Sequence, residues 1–212
     1  MIELHPDLQS HLRNGWITHP LLKLQYWKPG DNRRINTLYE HRLNRAQSAR
    51  QSNDWDTLIA LHRPTEREMA FYENCEHMER ADHYRIGGNI WTDPEIIRSG
   101  SCFVAGVISA SDDFSVRRAI MSDNELAELD SLPDRLQIFR SHLEWNRDGF
   151  CWTLDRNIAL DFAYGYDWPC LTTANIAKSD ALAFFQRRGE SEIIVNPSNV
   201  SDAETETVLA SQ

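Results

Sequence analysis

Apolar residues recur at two different periods along this chain, and the period changes near residue 133. Before that point the spacing is helical. Ile35, Leu38, Leu43 and Ala46 fall roughly on one face of a helix over 34–50. Asp54, Trp55, Leu58, Ile59 and Leu61 predict a second helix that ends before Pro64. A third is expected over 65–80, opened by Thr65 with Glu68 three residues on, the spacing of a capping box. Ser122 and Glu125 repeat that spacing ahead of Leu126, Leu129 and Leu132, with Pro133 as the stop. Gly87 and Gly88 are expected to break the chain, Trp91 and Pro94 to open a turn and helix, and 113–120 reads as helical. The run 101–110 is small and apolar. The opening segment, punctuated by Pro6, Gly15, Pro20, Pro29 and Gly30, reads as short helices and turns.

After residue 133 the elements are short strands. They are expected at Leu136 to Arg140, Phe150 to Thr153, Cys170 to Ile176, Glu190 to Val195, and Thr205 to Leu209, and the run 181–186 is apolar and aromatic. Among them Ile158, Ala159, Phe162 and Ala163 mark one helix, with Asp155 as its N-cap. The expected fold class is α+β. A mostly helical accessory region covers 1–132 and a compact sheet core covers 133–212.

Charge changes this picture by halves. Residues 1–100 carry 14 acidic and 13 basic side chains, whereas residues 101–212 carry 18 and 9. The second half is therefore a poor general binder of nucleic acid, which needs a positive surface. Lys28, Arg33, Arg34, Arg42, Arg45 and Arg50 lie close in sequence and are expected to be a solvated helix face, with a basic patch as the alternative. Cys75, Cys102, Cys151 and Cys170 form no CxxC pair, so they are expected to be reduced thiols, with neither a zinc site nor a redox dithiol. His77 and His83 share no metal spacing with Cys75, and no metal site is expected. Asp112–Asp113 reads as a surface acidic pair. No run of 18 apolar residues exists, so no membrane helix is expected. MIELHPDLQS lacks a basic and then apolar leader, so no secretory signal is expected.

Candidate chemistry collects in the last third. In RRGESEIIVNP, Glu190 and Glu192 are separated by Ser191 just before an apolar run. On a strand both carboxylates would point to one side. Arg140 ends a strand and is suited to bidentate contact with phosphate. Trp152 and Thr153 pair a flat aromatic wall with a hydroxyl. A carboxylate beside an anomeric carbon is the arrangement that stabilises an oxocarbenium-like sugar. Each element alone also has an ordinary structural explanation. His142, two residues after Arg140, is expected at the surface.

The set Arg140, GFCWT at 149–153, ALDFA at 159–163 and ESEIIVNP at 190–197 resembles the ADP-ribosyltransferase superfamily, in its arginine, serine-threonine, glutamate branch. It also resembles small bacterial and phage proteins with a helical N-terminal half. The resemblance covers about residues 133–210. It implies a split β-sheet core that binds NAD as a substrate, with Arg140, Ser141, Cys151, Trp152, Thr153 and Phe162 around the dinucleotide. It further implies catalytic roles for Glu192, at the nicotinamide ribose, and for Glu190, at the acceptor. The chain departs from the family where Ser141 stands for a glycine and Cys151 for a serine. The implied activity is mono-ADP-ribosyl transfer to a protein acceptor, or to a nucleic acid, in the cytoplasm (a host's, for a phage protein). The alternatives are an NAD glycohydrolase and an inactive binding or structural module.

Overall fold

The computed structural model describes residues 2–93 and 117–208. Pro94, the run 101–110, Cys102, Asp112–Asp113 and Leu209 lie outside them. Of the helix expected over 113–120, the described part is chiefly one 3-10 turn, Arg118–Ile120. The chain has mixed helix and sheet, as its α+β patterning implies. Among the described residues it divides into two units, one of 2–86 with 93 and the other of 87–92 with 117–208. The division therefore falls away from residue 132.

The first unit holds α1 (Pro6–Ser10), α2 (Asn32–Gln51), α3 (Trp55–Ala60), α4 (Pro64–Tyr72) and most of α5 (Arg80–Trp91). It also holds three two-residue strands, β1 (Leu12–Arg13), β2 (Trp16–Ile17) and β3 (Gln25–Tyr26), in one small antiparallel sheet. The sequence pattern shows short helices and turns there and no strands, because two-residue strands are too short to alternate. Leu4, Leu8, Ile17, Leu22, Ile35 and Tyr39 form the core, with Leu12, Trp27 and Leu43 packed on it. On α2 the buried stripe is Ile35, Tyr39, Ala46 and Ala49, while Leu38 faces outward.

Of the six basic residues near α2, Arg42 departs from a solvated face by being half-buried. Arg42 donates to the Leu61 carbonyl at 2.6 Å and Arg50 to Asn74 Oδ1 at 3.1 Å. Lys28, Arg33, Arg34, Arg45 and Arg50 are exposed, as expected of a solvated face. The Thr65–Glu68 capping box does not form, because Pro64 takes the first helical position and starts α4 one residue earlier. That helix ends at Tyr72 rather than continuing to 80.

The second unit holds the end of α5, α6 (Asp123–Ser131), α7 (Arg156–Tyr166) and six strands. These are β4 (Arg135–His142), β5 (Cys151–Thr153), β6 (Cys170–Ala177), β7 (Ala181–Phe185), β8 (Glu192–Val195) and β9 (Ser201–Thr207). They make one antiparallel sheet in the order β7-β8-β5-β4-β6-β9. β4 and β6 pair along their full eight residues. β4 meets β5 at one residue pair only, Phe139 with Thr153. The sheet is thus two three-stranded halves joined by a narrow waist. Phe139, Ala159 and Leu171 form the core between the sheet and α7, and Ser141 donates to the Ala159 carbonyl at 2.7 Å.

Local signals place several ends. Ser122 and Glu125 form the reciprocal capping box of α6, and Asp155 caps α7 through the Asn157 amide. Gly87 and Gly88 do not break the chain but lie within α5. A Cβ at Gly88 would overlap the Ile120 carbonyl, so the glycine permits a close approach.

Candidate active site

β8 and β5 set the geometry. Thr153 lies opposite Glu192 in the antiparallel register, Trp152 opposite Ile193, and Cys151 opposite Ile194. Cross-strand partners share a face and neighbours alternate. Cys151, Thr153 and Glu192 therefore face one side, and Trp152 the other. β4 lies on the far side of β5, so the strands bearing Glu192, Cys151–Thr153 and Arg140 are immediate neighbours.

Glu192 is buried, at 7% exposure. The Trp91 indole donates to both carboxylate oxygens at 3.2 Å, and Arg188 donates to Oε2 at 2.8 Å. The Cys151 thiol, on the same face, also favours the charged form. Burial is the strongest influence and holds the Glu192 carboxyl above the usual carboxylate range, against the pull of Arg188 and Trp91. The Cys151 thiol is pushed up as well, by burial and then by the Glu192 charge, so it remains protonated and able to donate.

Glu190 and Glu192 converge, but not through strand alternation. β8 begins at Glu192, and Ser191 has a left-handed backbone with φ 46°. The two carboxylates are drawn together by Arg188, whose Nη2 lies 2.7 Å from Glu190 Oε2 and 2.8 Å from Glu192 Oε2. Thr153 braces the same segment from below. Its hydroxyl donates to the Glu190 carbonyl at 2.6 Å, and the Leu154 amide donates to the Ser191 carbonyl at 3.0 Å.

Arg140 does not join this cluster: Phe139 pairs with Thr153, so Arg140 projects to the opposite face of the sheet, the Trp152 face. It donates to the Cys151 carbonyl at 2.6 Å and to the Asn146 carbonyl at 3.1 Å. Its Nε is buried and has no hydrogen-bond partner among the described residues. Gly149 lies flat against the guanidinium, where a Cβ would overlap it. Burial lowers the Arg140 pKa. Cys151 thus gives its carbonyl to Arg140 while its side chain faces the Glu192 side of the sheet.

The remaining candidates lie further out. Trp152 donates to the Gly149 carbonyl at 2.9 Å and lines a cavity of about 130 Å³ with Arg147, Asp148 and Thr172. Ser141 is buried with its hydroxyl committed to α7. Phe162 stacks on Tyr166, which stacks on Trp168. His142 is not at the surface. It is 1% exposed and bonded through Nε2 to the Thr172 hydroxyl at 2.7 Å. It shares the Arg140 face of β4.

Comparison with known protein families, curated proteins and solved structures finds no match to this chain. Among the described residues no group of three His, Cys, Asp or Glu side chains is arranged to hold a metal ion. Three described cysteines, Cys75, Cys151 and Cys170, are free thiols. No described helix is long and apolar enough to cross a membrane.

Two contributors were not legible in sequence. Trp91 comes from α5, 101 residues before the carboxylate it contacts. The loop between β7 and β8 is anchored by Arg187, which bonds Glu125, Asn89 and the Ile120 carbonyl. Glu125 also accepts from the Gln186 amide at 3.0 Å. The adjacent pair Arg187–Arg188 before the glutamates was the available signal. One arginine fixes the loop and the other holds the carboxylates.

Proposed function

We propose that this protein is an NAD-dependent mono-ADP-ribosyltransferase whose sheet unit is an ADP-ribosyltransferase-like core. The observation that carries the reading is the buried Glu192 carboxylate at the head of β8, on the strand beside Cys151–Thr153 and two strands from Arg140. The residues present suit the dinucleotide. Arg140 is a cation with an unbonded buried Nε, packed flat against Gly149. Glu192 offers a fixed negative charge in a site with little water, where it acts far more strongly than in bulk solvent.

In this reading the bond between nicotinamide and the ribose C1′ breaks, and its electron pair leaves with nicotinamide. Glu192 stabilises the positive charge that develops on the sugar. Trp91 and Arg188 keep that carboxylate in one orientation. Glu190 takes the proton of the acceptor nucleophile as the new bond to C1′ forms. A protein is the proposed acceptor, and a nucleic acid the second choice.

Purified protein incubated with adenine-labelled NAD and a cell lysate tests the reading. Label fixed to a macromolecule is the expected result. Free ADP-ribose alone would make the protein a glycohydrolase instead. NAD left unconsumed in every lysate would end the enzyme reading and leave a binding module.

A further inference from the structure

The small sheet of the first unit turns an aromatic and basic face to solvent, and we infer that this face binds single-stranded nucleic acid. The inference is independent of NAD chemistry in the second unit. Arg13, Trp16 and Tyr26 are cross-strand partners in one row across β1, β2 and β3, so they share a face. Leu12, Ile17 and Gln25 form the other row, and Ile17 lies in the core. Trp16 is 43% and Tyr26 55% exposed, and Arg13 is exposed beside them. The two rings are held in place. Asn14 and Gly15 turn the hairpin between β1 and β2 with left-handed backbones, at φ 50° and 81°. The Tyr26 ring lies over Gly15, where a Cβ would stand 2.7 Å from Cε2. The Trp16 ring meets Tyr26 edge-on, with centroids 5.5 Å apart at 79°. Rings already fixed lose little freedom when a base stacks on them.

Charge selects the partner. The chain carries 32 acidic side chains, yet the stretch from Leu8 to Gly30 contains none. The same stretch has Arg13, Lys23 and Lys28, all exposed. Cations beside stacking rings match a phosphate backbone whose bases are unpaired. A duplex keeps its bases stacked on one another and would offer this face phosphates alone. Leu24 is the one largely exposed aliphatic residue between 12 and 26, so the face offers stacking rather than the apolar wedge that a membrane surface takes.

The full chain, without NAD, is titrated against a fluorescein-labelled oligothymidine of about twelve nucleotides and read by anisotropy. Binding is expected, with a slope of about −2 in log affinity against log salt for three cations on a single strand. Trp16→Ala should weaken it about fivefold or more, and Trp16→Phe should keep most of it. Lys23→Gln together with Lys28→Gln, both at exposed positions, should flatten the salt slope. No binding at low salt overturns the inference. Equal affinity for the matching duplex removes the stacking role and overturns it, as does unchanged affinity in a Trp16→Ala protein that unfolds like the wild type. If Trp16→Ala does not fold, a salt slope unchanged in the lysine pair overturns it. Binding to anionic phospholipid vesicles but not to oligothymidine would make this a membrane face and overturns it too.

Discussion

At Glu192, burial opposes ionisation while Arg188, Trp91 and Cys151 favour it, and burial is the larger influence. The chemistry proposed here needs the ionised form. Nicotinamide release should therefore rise with pH through a value above the ordinary carboxylate range. Because Arg188 favours the charge, Arg188→Gln should move that acidic limb to higher pH. An unmoved limb would mean that Glu192 does not set it. Stability runs the other way. A group whose folded pKa is raised contributes most below its unfolded value, and that contribution is lost as pH climbs through the folded one. Gly149 tests the other side of the site. A Cβ there displaces the Arg140 guanidinium, so Gly149→Ala should raise the KM for NAD about tenfold, roughly 1.4 kcal/mol. Steady-state kinetics with an unchanged KM would remove Arg140 from NAD binding.

Elements set by short-range chemistry were legible in the sequence, and those set by distant packing were not. Ser122 with Glu125 and Asp155 with Asn157 each settle a helix start within three residues. Thr65 with Glu68 has the same spacing, yet Pro64 decides that helix because its fixed φ already suits the first turn. Gly87–Gly88 has the composition of a break, but α5 runs through it because Ile120 needs the room. His142 is buried through a bond to Thr172, 30 residues away, which no local pattern marks. The strands from 135 to 195 were marked by apolar runs and turn residues, but β9 starts at Ser201, ahead of the expected Thr205, because its side chains are all exposed and give no pattern, and the convergence of Glu190 and Glu192 depends on a side-chain clamp. Gly88→Ala should cost about 1–3 kcal/mol by forcing α5 away from Ile120, and should loosen Trp91 from Glu192. Chemical denaturation and indole fluorescence would show both effects. Wild-type stability in that variant would contradict the packing described.

For the whole molecule, two units with separate cores carry different sensitivities. In the first, His19 is held down to about 4, by burial first and then by the neighbouring His11 charge. Asp7 opposes this shift, while His62 and Arg63 reinforce it. Its folded value lies below the unfolded 6.5, so its contribution to stability is present above 6.5 and is lost as pH falls from there to about 4. Thermal unfolding should fall across that window, and His19→Asn should flatten the fall. An equal slope in both proteins would locate the acid sensitivity elsewhere. In the second unit the buried carboxylate cluster carries the proposed function. Nicotinamide release from NAD by the wild-type chain and by Glu192→Gln, with matched unfolding curves, tests that claim most directly. The account predicts a loss of a hundredfold or more, roughly 3 kcal/mol of transition-state stabilisation. Equal release by the two folded proteins would contradict it.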